Sequence, residues 1–454
     1  FSITVNDLAY ATPYAPDLIP WVGISSTGND SLDAMLFGYA FGKTWGEPLT
    51  ITYSIITTDS VFASDYLDGT GLDELHENIV NASSAMITAV EKAFDLISQY
   101  TGITFVKITE TATQCGDIRI GVTSSSDFPA GVSIAGPVMD SLGYAGAGNI
   151  WYNSANGDIW INDSVTDYST GGFGYYTVIH EIGHSLGLKH PHDTINPNAS
   201  DWTSPALSLT YDHLGYTVMA YRDYPGDGYQ GAGEVHSVKD VNGVDIYNYT
   251  YMIYDIWALR YLYSYDGSSF LTPDVTDDES YGIGGTGNNT YTISGTNVTG
   301  SFCIFDTGGT DTLDFSGQSV DSPINLLGGA AATLSEIGDT PGDYIIKYDS
   351  GEYYSGLIVS IYYANSIENV NAGSGDDIIT CNSATNVINC GAGDDYVYSV
   401  AAGDTANGGA GDDYFFPRKN SITLFDGGGG DDYLAFTGWA VDLRSFTDAQ
   451  LTRI

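Results

Sequence analysis

The sequence predicts two structural classes in series: a mixed α/β (α+β) domain over residues 1–264, then an all-β parallel β-roll over residues 265–454. Three observations predict this. Helix-period and strand-like segments share the first part, a nine-residue Gly/Asp repeat runs through the second, and composition changes near residue 265.

In the first part Ala85, Ala89, Ala93, Phe94, Ile97 and Tyr100 recur at helical spacing. Strand-like stretches fall at 49–56, 117–122 and 157–162. This order predicts strands and a few long helices sharing one core. The polar segment 264–280 reads as the connection to the second part.

The repeat follows the template G-G-x-G-x-D-x-U-x, where U is a large apolar residue. Residues 372–380, 390–398 and 408–416 fit it, and 427–434 fits with one residue of slip. Degenerate copies lie between, one with Asn386 where Asp belongs and one at 399–407. The glycines allow turns closed to other residues and let carbonyls approach a cation. Such turns offer Gly373, Gly375 and Asp377, then Gly391, Gly393 and Asp395, then Gly409, Gly411 and Asp413, then Gly428, Gly430 and Asp432. Two nonapeptides make one turn, so copies eighteen residues apart stack, with calcium between them. A weaker copy is Asp306-Thr307-Gly308-Gly309-Thr310-Asp311.

Charge supports this reading. The chain has 57 Asp plus Glu against 13 Lys plus Arg, a formal net charge of -44. A nucleic-acid partner is excluded for want of cations to replace phosphate counterions, and an anionic membrane surface is disfavoured. At 43% hydrophobic residues the chain has enough apolar surface to build cores, which argues against disorder. Many carboxylates therefore need a cation, and calcium is the hard, oxygen-seeking one. No run of 18 apolar residues predicts a membrane span. The four cysteines form no C-x-x-C pair or disulfide framework.

The chemistry is carried by His180-Glu181-Ile182-Gly183-His184-Ser185-Leu186-Gly187-Leu188-Lys189-His190. This is H-E-x-x-H-x-x-G-x-x-H. His180 and His184 share a helix face and can grip one ion. Gly187 ends the helix in a left-handed turn, and His190 returns as third ligand. Three neutral imidazoles leave the fourth position of a tetrahedral zinc open for water. Glu181 lies about 100° around the helix, placed to act as general base. The bland alternatives are a core helix with incidental histidines and a closed structural zinc site. The full pattern and its open fourth position argue against both. Met219, in Thr217-Val218-Met219-Ala220-Tyr221, is expected to form a soft floor under the ligands. His76, His192, His213 and His236 are read as solvated or as supporting the ligands from behind.

With these motifs in place the chain resembles the serralysin family, bacterial metzincin proteases with a calcium-binding β-roll. The resemblance also rests on Gly157-Asp158-Ile159-Trp160-Ile161-Asn162, on Met252-x-Tyr254-Asp255-Ile256 and on 311–317. It implies one catalytic zinc on His180, His184, His190 and Tyr221, with Tyr221 swinging away to steady an oxyanion. It implies several structural calcium ions, with Asp306, Gly308, Gly309, Asp311, Ser366 and Glu368 among their ligands. The implied activity is secreted endopeptidase action on extended polypeptides, by β-augmentation on an edge strand for which 148–153 is the candidate. Export by an uncleaved C-terminal signal of the type I route, a proteinaceous inhibitor as partner and a monomeric state are likewise implied. The alternative is a calcium-dependent binding or surface module with an inactive protease domain. The presence of Glu181, which such a module would be expected to lose, weighs for the enzyme.

Overall fold

The computed structural model describes residues 21–42, 48–62, 66, 75–125, 130–133, 150–151, 157–194, 204–222, 238–239, 245–265, 269–293, 300–319, 321–328, 359–418, 424–435 and 451–452. Its first half is built on a sheet whose strands run Thr104–Lys107, Thr50–Ile55, Ile118–Thr123, Ile159–Asn162 and Gly131–Ser133 in space. The first four are parallel; Gly131–Ser133 is antiparallel and forms the edge. Ile118–Thr123 and Ile159–Asn162 are buried along their whole length. That is the expected state of central parallel strands covered on both faces, and it explains their unbroken apolar runs.

The helix Ser84–Thr101 occupies the segment that the periodicity predicts. Ser83 caps it by accepting from Met86 N at 3.2 Å, an interaction of about 1 kcal/mol. Gly102 closes it in the left-handed region at φ 76°. Its apolar face carries Met86, Ala89, Val90, Ala93, Phe94, Ile97 and Tyr100. The motif helix, Phe173–Ser185, packs against this helix and the sheet, and Gly174 to Gly183 are all buried. Gly183 lets the Met219 side chain approach closely, since a Cβ there would lie 2.8 Å from Met219 Sδ and push it aside. The third helix, Ile253–Ser264, is also nearly all buried.

The second half is a parallel roll. One sheet stacks Thr290–Thr292, Thr312–Asp314, Asn369–Asn371, Val387–Ala392, Thr405–Ala410, Leu424–Gly429 and Leu451–Thr452. The other stacks Pro323–Asn325, Ile378–Thr380, Tyr396–Val400, Tyr414–Pro417 and Tyr433–Leu434. Ile378, Tyr396 and Tyr414 are in register eighteen apart, and Tyr433 follows nineteen on, which is the slip seen in the repeat. Alternation does the packing: Tyr291, Leu313, Val370, Ile388, Ala406 and Phe425 point inward from one sheet, and Ile324, Ile379, Val397 and Phe415 from the other. The core continues across the junction, where Tyr100 and Phe305 meet edge to face at 5.1 Å and Cys303 N donates to Thr250 Oγ1 at 2.8 Å.

One expectation is corrected. The strand in 148–153, Ile150–Trp151, pairs with Trp21–Gly23 in a separate three-stranded sheet. The edge beside the motif helix is Gly131–Ser133. Residues 148–149 and 152–153 lie outside the described residues, as does His236.

Candidate metal and catalytic centre

His180 and His184 come from adjacent turns of the motif helix, and His190 from the loop after it. The helix ends at Ser185, and Leu188 N then donates back to Gly183 O at 3.0 Å with Gly187 at φ 102°. This left-handed reversal carries His190 to the other two. His180 Nε2 lies 3.3 Å and His184 Nε2 3.0 Å from His190 Nε2, and the Tyr221 hydroxyl stands 2.7 Å from the same atom. The back nitrogens face acceptors: His180 Nδ1 donates to Val218 O and His184 Nδ1 to Leu188 O, each at 2.8 Å. With the protons at Nδ1, both Nε2 lone pairs point into the cluster.

Burial, then the neighbouring His190, hold the pKa of His180 down to about 3 and that of His184 well below its ordinary value. The rings are therefore neutral. Converging lone pairs repel unless a cation lies between them, so the donor set fits zinc.

The Met-turn is anchored from the third helix. Asp255 accepts from Thr217 Oγ1 at 2.5 Å, Val218 N at 2.7 Å and Met252 N at 2.9 Å. Tyr176 Oη also donates to Val218 O, at 2.9 Å. Thus the carbonyl that orients His180 is itself fixed. Glu181 is 6% exposed and lies against the edge strand, where a Cβ on Gly131 would meet its Oε1 at 2.9 Å. His192 is half-buried and stacks parallel to His190, with centroids 5.3 Å apart. His213 is buried and accepts from Gly215 N at Nδ1, so it is not solvated.

In the roll the aspartates form a ladder. Asp377 N donates to Asp395 Oδ1 at 2.7 Å, Asp395 N to Asp413 Oδ1 at 3.0 Å and Asp413 N to Asp432 Oδ1 at 3.1 Å. Asp395 Oδ2 and Asp413 Oδ2 remain buried with no partner. Burial, with neighbouring carboxylates adding to it, pushes the carboxyl of Asp395 up to about 7 and that of Asp413 to about 6. Gly391, Gly393, Gly409, Gly411, Gly428 and Gly430 turn the chain at positive φ beside them. At Gly391 and Gly409 a Cβ would strike the carbonyl of the glycine one turn back. Gly373 N donates to Asp377 Oδ2 at 3.1 Å, and Gly375 lies one turn from Gly393. Orphaned carboxylate oxygens among crowded carbonyls are what a calcium ion would satisfy.

Nearer the first half, the turn at Asp311 behaves alike, whereas both oxygens of Asp306 are met, by Gly308 N and the Tyr291 hydroxyl. Asp311 N donates to Glu368 Oε2 at 2.7 Å, Asn289 N donates to Asp311 Oδ1 at 2.7 Å, and Asp311 Oδ2 has no partner. Asp306 accepts from Gly308 N at 2.9 Å, and Asp306, Gly308 and Ser366 line one cavity of about 400 Å³. A Cβ on Gly309 would press on both Asp311 oxygens, at 2.8 and 2.9 Å. The degenerate turns differ. Asn386 Nδ2 donates to Glu368 O at 3.0 Å and Asn382 Oδ1 at 2.9 Å, while both Asp404 oxygens accept, from Asn386 N and Ala401 N.

Three groups escaped the sequence reading. Asp255 was noticed in a motif but not as the anchor of the Met-turn. The edge strand at Gly131 was missed. So was a further turn, Gly284-Gly285-Thr286-Gly287-Asn288-Asn289, in which Gly285 N donates to Asp277 Oδ1 at 2.7 Å. Its G-G-x-G spacing was the available signal.

Comparison with known proteins decides the family. The family model described as Matrixin matches residues 74–212, and that described as Peptidase M10 serralysin C terminal matches 273–420. Serralysin of Photorhabdus laumondii is 36% identical over 243 residues, 52% of this chain and 42% of that protein. Serralysin of Proteus mirabilis is 31% identical over 314 residues, 66% of this chain and 55% of its own length. Serralysin G of Dickeya chrysanthemi is 30% identical over 355 residues, 76% and 62% respectively. The chain belongs to the serralysin family. As in that family, a metzincin domain precedes an all-parallel β region. The chain spans 42% and 55% of the length of the serralysins of Photorhabdus laumondii and Proteus mirabilis. Among the described residues no helix is long and apolar enough to cross a membrane.

Proposed function

We propose that this serralysin-family chain is a secreted, zinc-dependent endopeptidase whose roll is stabilised by calcium. The division falls at residues 264 and 265. The observation that carries the reading is the convergence of three imidazoles beside a buried Glu181, next to a strand that ends its sheet among the described residues.

His180, His184 and His190 would hold the zinc, with Tyr221 as a further ligand. When bound, zinc supplies Lewis acidity, polarising a carbonyl and bringing the pKa of water down to about 7. Among the described residues the strand Gly131–Ser133 pairs on one side only, with Ile159–Asn162, and the backbone groups of its other side would receive an extended polypeptide. Glu181 borders that strand, takes a proton from the attacking water at its carboxylate and returns it to the leaving amine nitrogen. The Tyr221 hydroxyl donates to the oxyanion. The turns around Asp306, Gly308, Gly309, Asp311, Ser366 and Glu368 would hold calcium, as would those built on Asp377, Asp395, Asp413 and Asp432. Export follows a C-terminal signal by the type I route.

Glu181→Ala tests the assignment. It is expected to retain zinc, read by elemental analysis, while cleavage of a peptide substrate falls at least about a hundredfold. Wild-type cleavage by a zinc-loaded variant would remove Glu181 from its role.

A further inference from the structure

The three imidazoles are not supported alike. His180 and His184 sit on a helix and donate from Nδ1 to backbone carbonyls. His190 sits on a loop, and its Nδ1 faces a side chain, Asp193 Oδ2, at 3.2 Å. The helix ladder reaches this loop only as far as Leu188, and Lys189 N donates to Met35 O at 3.0 Å. The loop is gathered onto the ammonium of Lys189, which donates to His190 O at 3.2 Å, Asp193 O at 2.6 Å and Pro205 O at 3.2 Å. Lys189 is 1% exposed. A buried ammonium needs such a set of acceptors, and those acceptors belong to the ligand-bearing turn and to the strand of chain that closes over it. Asp193 N also donates to His190 O at 3.2 Å, and Leu207 N to Pro191 O at 2.7 Å, so the turn is braced at both ends.

We propose that Asp193 and Lys189 are positioning residues for the third zinc ligand. Asp193 accepts the proton of His190 Nδ1 and so keeps the Nε2 lone pair aimed at the ion. Lys189 holds the backbone of both residues at the distance that makes this possible. Neither touches substrate. A carboxylate behind a metal-bound imidazole orients the ring and raises its basicity, and losing one typically weakens metal binding about 10- to 100-fold. The asymmetry has a physical reason. A helix supplies rigid spacing for His180 and His184, whereas a loop ligand needs a side-chain acceptor and an internal cation to reach equal definition.

The inference rests on the zinc reading above, and the experiment separates the two. Zinc affinity is measured by competition with a chromophoric chelator at one fixed pH for the full chain and for Asp193→Ala, Asp193→Asn and Lys189→Met. Visible spectra of the cobalt-substituted proteins are recorded in parallel. If the wild-type chain binds no zinc, the function reading fails. If it binds zinc and Asp193→Ala binds within about twofold of it, only this inference fails. The expected result is a loss of about 10-fold or more in Asp193→Ala with a shifted cobalt spectrum. Asp193→Asn, whose amide oxygen still accepts, is expected to recover most of the affinity and the wild-type spectrum. An Asn variant as weak as the Ala variant would overturn the ring-orienting role. Lys189→Met is expected to lose affinity in the same direction, with kcat falling and KM unchanged; wild-type affinity there would remove Lys189 from the device. Asp193 is half-exposed, with 45% of its side chain in solvent, so its variants test the proposal even where Lys189→Met folds poorly.

Discussion

Buried carboxylates are handled in opposite ways by the two halves of the chain. In the first half, Asp158 accepts from Arg119 N and from Tyr66 Oη, each at 2.8 Å, and both oxygens of Asp255 accept hydrogen bonds. Glu110 pairs with buried Arg119 at 2.7 Å. In the roll, Asp311, Asp395 and Asp413 each keep one buried oxygen with no partner. The first half meets these acids with its own donors, and Asp212, which also keeps one orphaned oxygen, pairs through the other with Arg222; among the described residues no Lys or Arg pairs with the three roll aspartates. Turns of a parallel sheet lie about 4.8 Å apart, where two like charges at an effective dielectric constant near 20 repel by about 3 kcal/mol. On the proposed reading, a calcium ion between such acids removes that repulsion. The histidine cluster differs from both cases, because its two helix-borne rings, His180 and His184, are held neutral by burial.

Chelating calcium should therefore have the largest effect. The roll is expected to lose its β signal in circular dichroism and regain it when calcium is returned, while the helical signal of the first half persists. A roll unmoved by chelator would break the comparison.

Asp395→Asn comes next, with a change of sign as its mark. Thermal stability in calcium should fall, because a ligand oxygen is lost. In chelator it should rise or hold, because a repelling charge is gone. Falls in both conditions would make Asp395 an ordinary hydrogen-bonding residue. Asn386 already shows the natural version of this exchange, its amide donating where a cation would otherwise draw the carbonyls together.

The smallest effect concerns Asp158. Burial pushes its carboxyl up to about 8, so the protonated form is favoured in the folded chain. Its contribution to stability is full below about pH 4 and declines as pH rises toward about 8. Asp158→Asn should flatten that part of the stability profile, followed as melting temperature against pH at saturating calcium. An unchanged slope would show that the Tyr66 and Arg119 contacts already balance the burial.

These contrasts explain what was legible in the sequence. The histidine motif, the repeat phase and the helix at Ser84–Thr101 are local patterns, and spacing alone places them. Supports drawn from far along the chain are not. Asp255 reaches Val218 across 37 residues, and no periodicity announces it. The described part of the edge strand, Gly131–Ser133, offers three residues and no alternation to detect. The aromatic pair Trp151-Tyr152 marks strand propensity without naming a partner, so the sequence alone does not say which sheet 148–153 joins. The turn at 284–289 was hidden by Asn standing where the template has Asp.

Elemental analysis of the purified chain, before and after exhaustive dialysis against a calcium chelator, tests the division most directly. One zinc per chain should survive a treatment that strips several calcium ions and unfolds the roll, and substitution of His184 should remove that zinc alone. Zinc missing from a chain with all three histidines intact, or leaving together with the calcium, would contradict the account.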